Sequence, residues 1–253
     1  MLAQTQWVRP KISAPTSKVK RHGVARVISK LGLGSRIQAA EWVRAGRVRV
    51  NDRVVQDADF PVRQGLDRID IDGQSTAPAG RRVLMLNKPR GLVTTTRDEQ
   101  GRDTVYRCLA GAALPWVAPV GRLDKASEGL LLFSNDPAWA ARITDPKTGP
   151  SKTYHVHIDR LPTAALLETL EKGVVLNGER LNAKSARCLR AGQKNAWLEI
   201  VLAGGRNRQI RRMLAAVDVS VLRLVRVAIG PLSLGKLPKG QWRALTEQEI
   251  DLL

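Results

Sequence analysis

The reactive side chains of this sequence gather where acids sit among cations. Residues 119–136 read PVGRLDKASEGLLLFSND. An apolar stretch, WVAPV, runs into a polar turn that holds Gly121, Arg122, Asp124, Lys125 and Glu128, and a very apolar stretch, GLLLF, leaves it. A charged turn between two buried strands holds its side chains rigidly against a core, which is what a working carboxylate needs. Asp124 with Glu128 also fits the acid pair of a glycosidase, and a merely solvated turn is the plainest alternative. A second dense segment is NRQIRRMLAAV, residues 207–217. Read as a helix with Asn207 as its N-cap, it places Ile210, Met213, Leu214 and Val217 on one face and Arg208, Arg211 and Arg212 on the other. Arg206 adds charge at its start, and Arg223 and Arg226 follow on the next strand. Such a cluster suits phosphate oxygens, against the alternative of an arginine face turned to water.

Composition narrows the partner. The chain has 253 residues, 42 Lys and Arg against 23 Asp and Glu, and a formal charge of +19. That excess works against compactness and marks a polyanionic partner. No apolar run approaches the ~20 residues that span a bilayer, and the N-terminus lacks the apolar core of a secretion signal, so a membrane partner is not expected. Cys108 and Cys188 lie far apart, and His22, His155 and His157 form no zinc-binding pattern, so no metal is expected. Trp7, Trp42, Trp116, Trp139, Trp197 and Trp242 mostly fall in apolar patterns, which favours core packing over base stacking.

The elements that must hold these residues fall into two units. Residues 1–17 mix Pro, Ser, Thr and basic residues without periodicity, the composition of a flexible tail. Over 18–75, GVARVISKLG and SRIQAAEWVRAG have helical spacing, the second opening on a Ser35–Gln38 capping box. VRVNDRVV then alternates around Asn51-Asp52, which is hairpin chemistry. The helices of this unit are basic, with Arg36, Arg44 and Arg47 among the candidate nucleic-acid contacts. Residues 76–81 have linker composition. From 82 to 253, strands such as RVLMLNKP, GLVTTT, GLLLFS, TYHVHI, AWLEIVLA and LRLVRVAIG alternate irregularly with helices such as PAWAARIT and PTAALLETLEKG. Several adjacent strands lack a crossover helix, which predicts an α+β fold with a mixed or mainly antiparallel sheet.

GRLDKASEGLLLFSND resembles the catalytic-aspartate motif of the bacterial ribosomal RNA pseudouridine synthases, the family of the 16S enzyme and several 23S enzymes. Three further segments agree in order: LNKPRGLVTT (86–95), SKTYHV (151–156) and GGRNRQIRRM (204–213). The front module resembles an S4 RNA-binding domain through GSRIQAAEWVRAGRVRVN. It departs from that pattern at Gly23 and Ile37, where the domain carries arginine, and the basic motif here follows Ala203-Gly204 rather than an acid or amide. The resemblance runs from about residue 18 onward.

It implies that Asp124 is the catalytic carboxylate, that Tyr154 stacks on the base and that Arg211 pairs with Asp124. Arg122, Lys152, Arg206, Arg208 and Arg212, with Arg36, Arg44 and Arg47, are then the expected RNA contacts. The chemistry agrees. Breaking the N-glycosidic bond of uridine builds positive charge at the sugar, which one carboxylate can stabilise or capture. A neighbouring guanidinium favours the ionised acid. The reaction is an isomerisation, so no cofactor is expected. The text around RDEQGRDTVYRCL and GQWRALTEQEIDLL resembles the 23S branch, which makes 23S rRNA the expected partner of a cytoplasmic monomer. The alternatives are 16S rRNA or tRNA as target, or a non-catalytic RNA-binding assembly factor.

Overall fold

The computed structural model describes residues 20–77 and 79–253, so the 1–17 tail and Trp7 lie outside the described residues. The front unit runs β1 (Arg21–Gly23), α1 (Val24–Lys30), α2 (Arg36–Arg44), β2 (Val48–Val50), β3 (Arg53–Val54), β4 (Pro61–Arg63), β5 (Ile69–Ile71) and β6 (Gln74–Ser75). Ser35 and Gln38 form the expected reciprocal cap at the start of α2. Asn51 and Asp52 both take positive φ, 48° and 68°, the backbone of a tight primed hairpin turn. A small core forms where Val24, Ile28 and Val43 of the helices meet Val48, Val62 and Ile69 of the strands.

The second unit runs β7 (Val83–Lys88), β8 (Ala118–Val120), β9 (Glu128–Ser134), α3 (Pro137–Thr144), β10 (Lys152–Ile158), α4 (Ala164–Lys172), β11 (Val174–Leu176), β12 (Glu179–Leu181), β13 (Ser185–Ala191), β14 (Ala196–Leu202), α5 (Gln209–Ala215), β15 (Val221–Ile229), β16 (Leu232–Ser233), β17 (Trp242–Ala244) and α6 (Glu247–Asp251). Nine of these strands form one sheet along the order β13-β14-β10-β15-β9-β7-β17, with β16 on β15 and β8 on β9. Every pairing is antiparallel except β15 with β9, which is parallel and holds only Val225 opposite Glu128 and Arg226 opposite Gly129. The mixed sheet is therefore two antiparallel halves joined by a short seam. It matches the α+β expectation.

Burial follows from this layout. Strands β7 and β9 are buried along their whole length because packing covers both of their faces. By contrast β10 and β14 bury every second residue, the signature of a sheet with one face open. Leu198, Ile200 and Val156 on the buried side pack against Ile210, Met213 and Leu214 of α5, which fixes the arginine helix over the sheet.

Two expected elements come out differently. GLVTTT forms no strand, only a single bridge from Val93 to Thr104, because its polar groups are bonded to the Asp124 turn instead. The cap of α5 is Arg208 in left-handed backbone (φ 49°, ψ 32°), not Asn207, and no side chain caps the helix.

Candidate active site

Asp124 lies on the turn between β8 and β9, and the backbone of that turn is fixed at every step. Five successive carbonyls accept hydrogen bonds from elsewhere in the fold. Thr94 Oγ1 donates to Leu123 O at 2.7 Å. Lys88 Nζ donates to Asp124 O at 3.2 Å and to Ser127 O at 2.8 Å. Gly91 N donates to Lys125 O at 2.8 Å, and Arg211 Nη2 to Ala126 O at 3.3 Å. Lys88 has no exposed surface and gives its third proton to Pro89 O at 3.0 Å. Burial pulls its ammonium down to about 8, opposed by the negative charges of Glu128 and Asp124. The segment 88–94 is thus a clamp beneath the Asp124 turn. The sequence matches Lys88 to a motif without showing this role, and a lysine closing a mostly apolar strand was the available signal.

A cleft of about 930 Å³ opens over the turn. Asp124 is the only acid among the described residues lining it, against eight lysines and arginines. Tyr154, Arg122, Lys152, Arg206 and Arg208 line it as expected of site residues, whereas Arg211 and Arg212 do not. Tyr154 is 8% exposed and faces the cleft from β10.

The ion pair to Asp124 comes from Arg208, whose Nη1 lies 3.5 Å from Oδ2. This corrects the expectation for Arg211. The Arg211 guanidinium is committed to the carbonyls of Ala126 and Val221, and its Nε is buried without a partner. Burial and the neighbouring Arg208 cation pull Arg211 below its ordinary range, and the charge of Asp124 opposes them. Arg211 therefore sits behind the aspartate and holds its turn.

Several expected RNA contacts are also occupied. Arg206 and Arg212 each donate to Glu179 at 2.8 Å, so one carboxylate on β12 ties both to the β11–β12 hairpin. Arg47 is paired with Asp72 at 2.5 Å. Lys152 is buried, 8% exposed, and is not a surface phosphate contact. Arg36 and Arg44 stand exposed on α2, and Arg122 at the cleft mouth. Glu128 is buried with its carboxylate bonded to Arg223 and Lys239, which removes it as a second acid for Asp124. Three residues apart on β15, Arg223 and Arg226 point to opposite faces of the sheet, and Arg226 enters the cleft wall. That parity is readable in the strand, and it was the missed signal for Arg226.

Among the described residues no cluster of three His, Cys, Asp or Glu is placed to hold a metal. No helix there is long and apolar enough to cross a membrane.

Known proteins agree with this architecture. Residues 82–216 match the model of the RNA pseudouridylate synthase family, and residues 24–67 match that of the S4 domain. An uncharacterised RNA pseudouridine synthase of Aquifex aeolicus is 34% identical, over 90% of this chain and 91% of its own length. Ribosomal large subunit pseudouridine synthase B of Bacillus subtilis is 33% identical, over 90% of this chain and 93% of its own. A solved crystal structure of a pseudouridylate synthase superposes with a TM-score of 0.64 at 30% identity, covering 92% of this chain and all of that one.

Proposed function

The chain belongs to the RNA pseudouridylate synthase family and carries an S4 domain in front, and from that premise we propose that it isomerises a uridine of 23S ribosomal RNA, with Asp124 as the catalytic carboxylate. One observation carries the site assignment: a cleft lined by eight cations and a single acid, with that acid on a turn bonded at five successive carbonyls. The cations suit an RNA substrate, and the rigid turn aims the carboxylate. The choice of 23S rRNA is supported by the Bacillus subtilis relative, named for the large ribosomal subunit, at 33% identity over nearly all of both chains. The protein acts as a monomer in the cytoplasm, where this RNA is assembled.

The chemistry follows from the groups present. The target uridine leaves its stack and lies against Tyr154. As the C1′–N1 bond breaks, its electron pair departs with the base, and the ionised carboxylate of Asp124 stabilises or captures the electron-poor C1′. The base turns, C5 attacks C1′, the carboxylate is released, the proton on C5 leaves to a base, and N1 takes up a proton. Tyr154 offers a hydroxyl for the removal of the C5 proton. Arg208 holds Asp124 from the front, and Arg211 holds its backbone from behind.

The test of the target is a pseudouridine map of total RNA from cells with and without the gene. One 23S position should lose its pseudouridine, and loss only in 16S rRNA or tRNA would refute the assignment. The test of the residue is Asp124→Asn. It should abolish turnover while RNA affinity stays near that of the wild type, because the carboxylate acts in the transition state.

A further inference from the structure

Lys152 and Arg226 present a charge problem that the reaction as described leaves unsolved. They are register neighbours of Tyr154: Arg226 lies opposite it across β10 and β15, and Lys152 stands two residues before it on the same face. Both line the cleft, at 8% and 5% exposure. Among the described residues neither forms an ion pair. Lys152 Nζ reaches only Ile143 O at 3.4 Å, and Arg226 donates through Nε to Leu130 O at 2.7 Å while its Nη2 is buried without a partner. Burial, and then the nearby Arg226 cation, pull the Lys152 ammonium below its ordinary range. Two adjacent buried cations with no acid are strongly unfavourable unless something negative completes them.

We propose that Lys152 and Arg226 form an oxyanion site on the cleft floor that takes the carbonyl oxygens of the detached uracil. This rests on the reading of the cleft as a pseudouridine-forming site. When the C1′–N1 bond breaks, its electron pair leaves with the base, and the charge spreads from N1 onto O2 and O4. The free anion must then turn to offer C5 without escaping. Cations fixed beside the ring that stacks on it hold it through that turn and lower the barrier to forming it. When the C5–C1′ bond forms, a pair from the ring becomes the new bond and the adduct is neutral; the C5 proton then leaves to a base and N1 takes one up from solvent, which gives the neutral product. Depth separates this role from phosphate binding. Arg122, exposed at the cleft mouth, is placed to meet the RNA backbone. A phosphodiester is tethered on both sides and stays at that rim, whereas an extruded base reaches the buried floor beside Tyr154.

The experiment measures single-turnover rates at saturating protein, with uridine, 2-thiouridine or 4-thiouridine at the target position. Sulfur accepts hydrogen bonds poorly, so at least one thio substrate should slow the wild type. Lys152→Met keeps the shape of the side chain and removes a buried charge, so the fold should persist. It should slow the uridine substrate by ~10²–10³-fold, the usual loss for one oxyanion donor. RNA affinity should stay unchanged, the thio effect should shrink, and Lys152→Arg should restore part of the rate. A Lys152→Met protein as fast as an active wild type overturns the proposal alone. So does a loss that vanishes at saturation, with a reduced salt dependence and an intact thio effect, because the cations would then hold phosphate. A wild type that converts no ribosomal uridine overturns the reading of the cleft, and this proposal with it.

Discussion

Lys88 shows how one residue couples stability to activity in opposite senses. Its ammonium serves three carbonyls from a site with no exposure, and burial holds it at about 8. Below that pH the folded protein bears the cost of a buried charge. As pH rises from about 8 toward the ordinary lysine value of 10.5, the unfolded chain keeps the proton longer than the folded one, so this group favours folding increasingly. A neutral amine, however, has two protons for three carbonyls. Wild-type turnover should therefore fall above about pH 8 while its urea midpoint, measured against Lys88→Met, rises. Parallel loss of both would refute the clamp. The two arginines at Asp124 separate in the same way. Arg211→Ala should lower melting temperature and turnover together, because it unties Ala126. Arg208→Ala should lower turnover alone. Arg208→Gly should lose as much turnover yet be more stable than the alanine variant by about 1 kcal/mol, since glycine suits the left-handed backbone there.

The decisive element is the seam between β9 and β15. Gly129 sits at φ +99°, and a Cβ there would lie 2.2 Å from the carbonyl oxygen of Arg226. Gly129→Ala should cost about 2–5 kcal/mol from strain plus overpacking, read as a fall in the urea midpoint. Activity should fall further than stability explains, because the substitution also displaces Arg226. The local elements were legible in sequence wherever local chemistry decides them. The helix PAWAARIT is observed as Pro137–Thr144, with Asp136 capping Ala138 and Trp139. The Ser35 capping box and the Asn51-Asp52 turn also appear as read. What sequence hid was non-local. Nothing in GLVTTT shows that Thr94 will bond a carbonyl of the Asp124 turn 29 residues away. Trp242–Ala244 gave no strand signal because pairing with β7 is what makes it one. The site was legible as a set of residue types, with Asp124, Tyr154 and Arg208 brought to one cleft. The division of labour between Arg208 and Arg211 was not, because it turns on one left-handed residue.

Over the whole molecule the charge is +19, and eight cations against one acid line the cleft. RNA affinity should fall steeply with salt, in proportion to the phosphates neutralised. Arg36 and Arg44 are exposed on α2 and form no ion pair among the described residues, so the double change to glutamate should weaken binding and reduce the salt slope by about 2, with the saturated single-turnover rate unchanged. Arg47→Ala should do far less, because Asp72 already holds that side chain. Equal effects at all three positions would mean that the S4 helices do not dock on the RNA backbone.

The pairing of β17 with β7 has a consequence for a chain still being made. Asn87 on β7 donates to Leu237 O, 150 residues onward, and Trp242–Ala244 then closes the outer edge of the strand. The strands of the front unit, in contrast, all lie within residues 21–75. A nascent chain therefore completes its RNA-gripping part early, while β7, buried along its length in the finished fold, waits with an unpaired edge. Early engagement of RNA by the S4 part would hold such a chain apart from its neighbours during the interval when edge-to-edge aggregation is easiest. Pulsed hydrogen exchange on stalled chains should find α1 and α2 protected well before β7, and simultaneous protection would rule this order out.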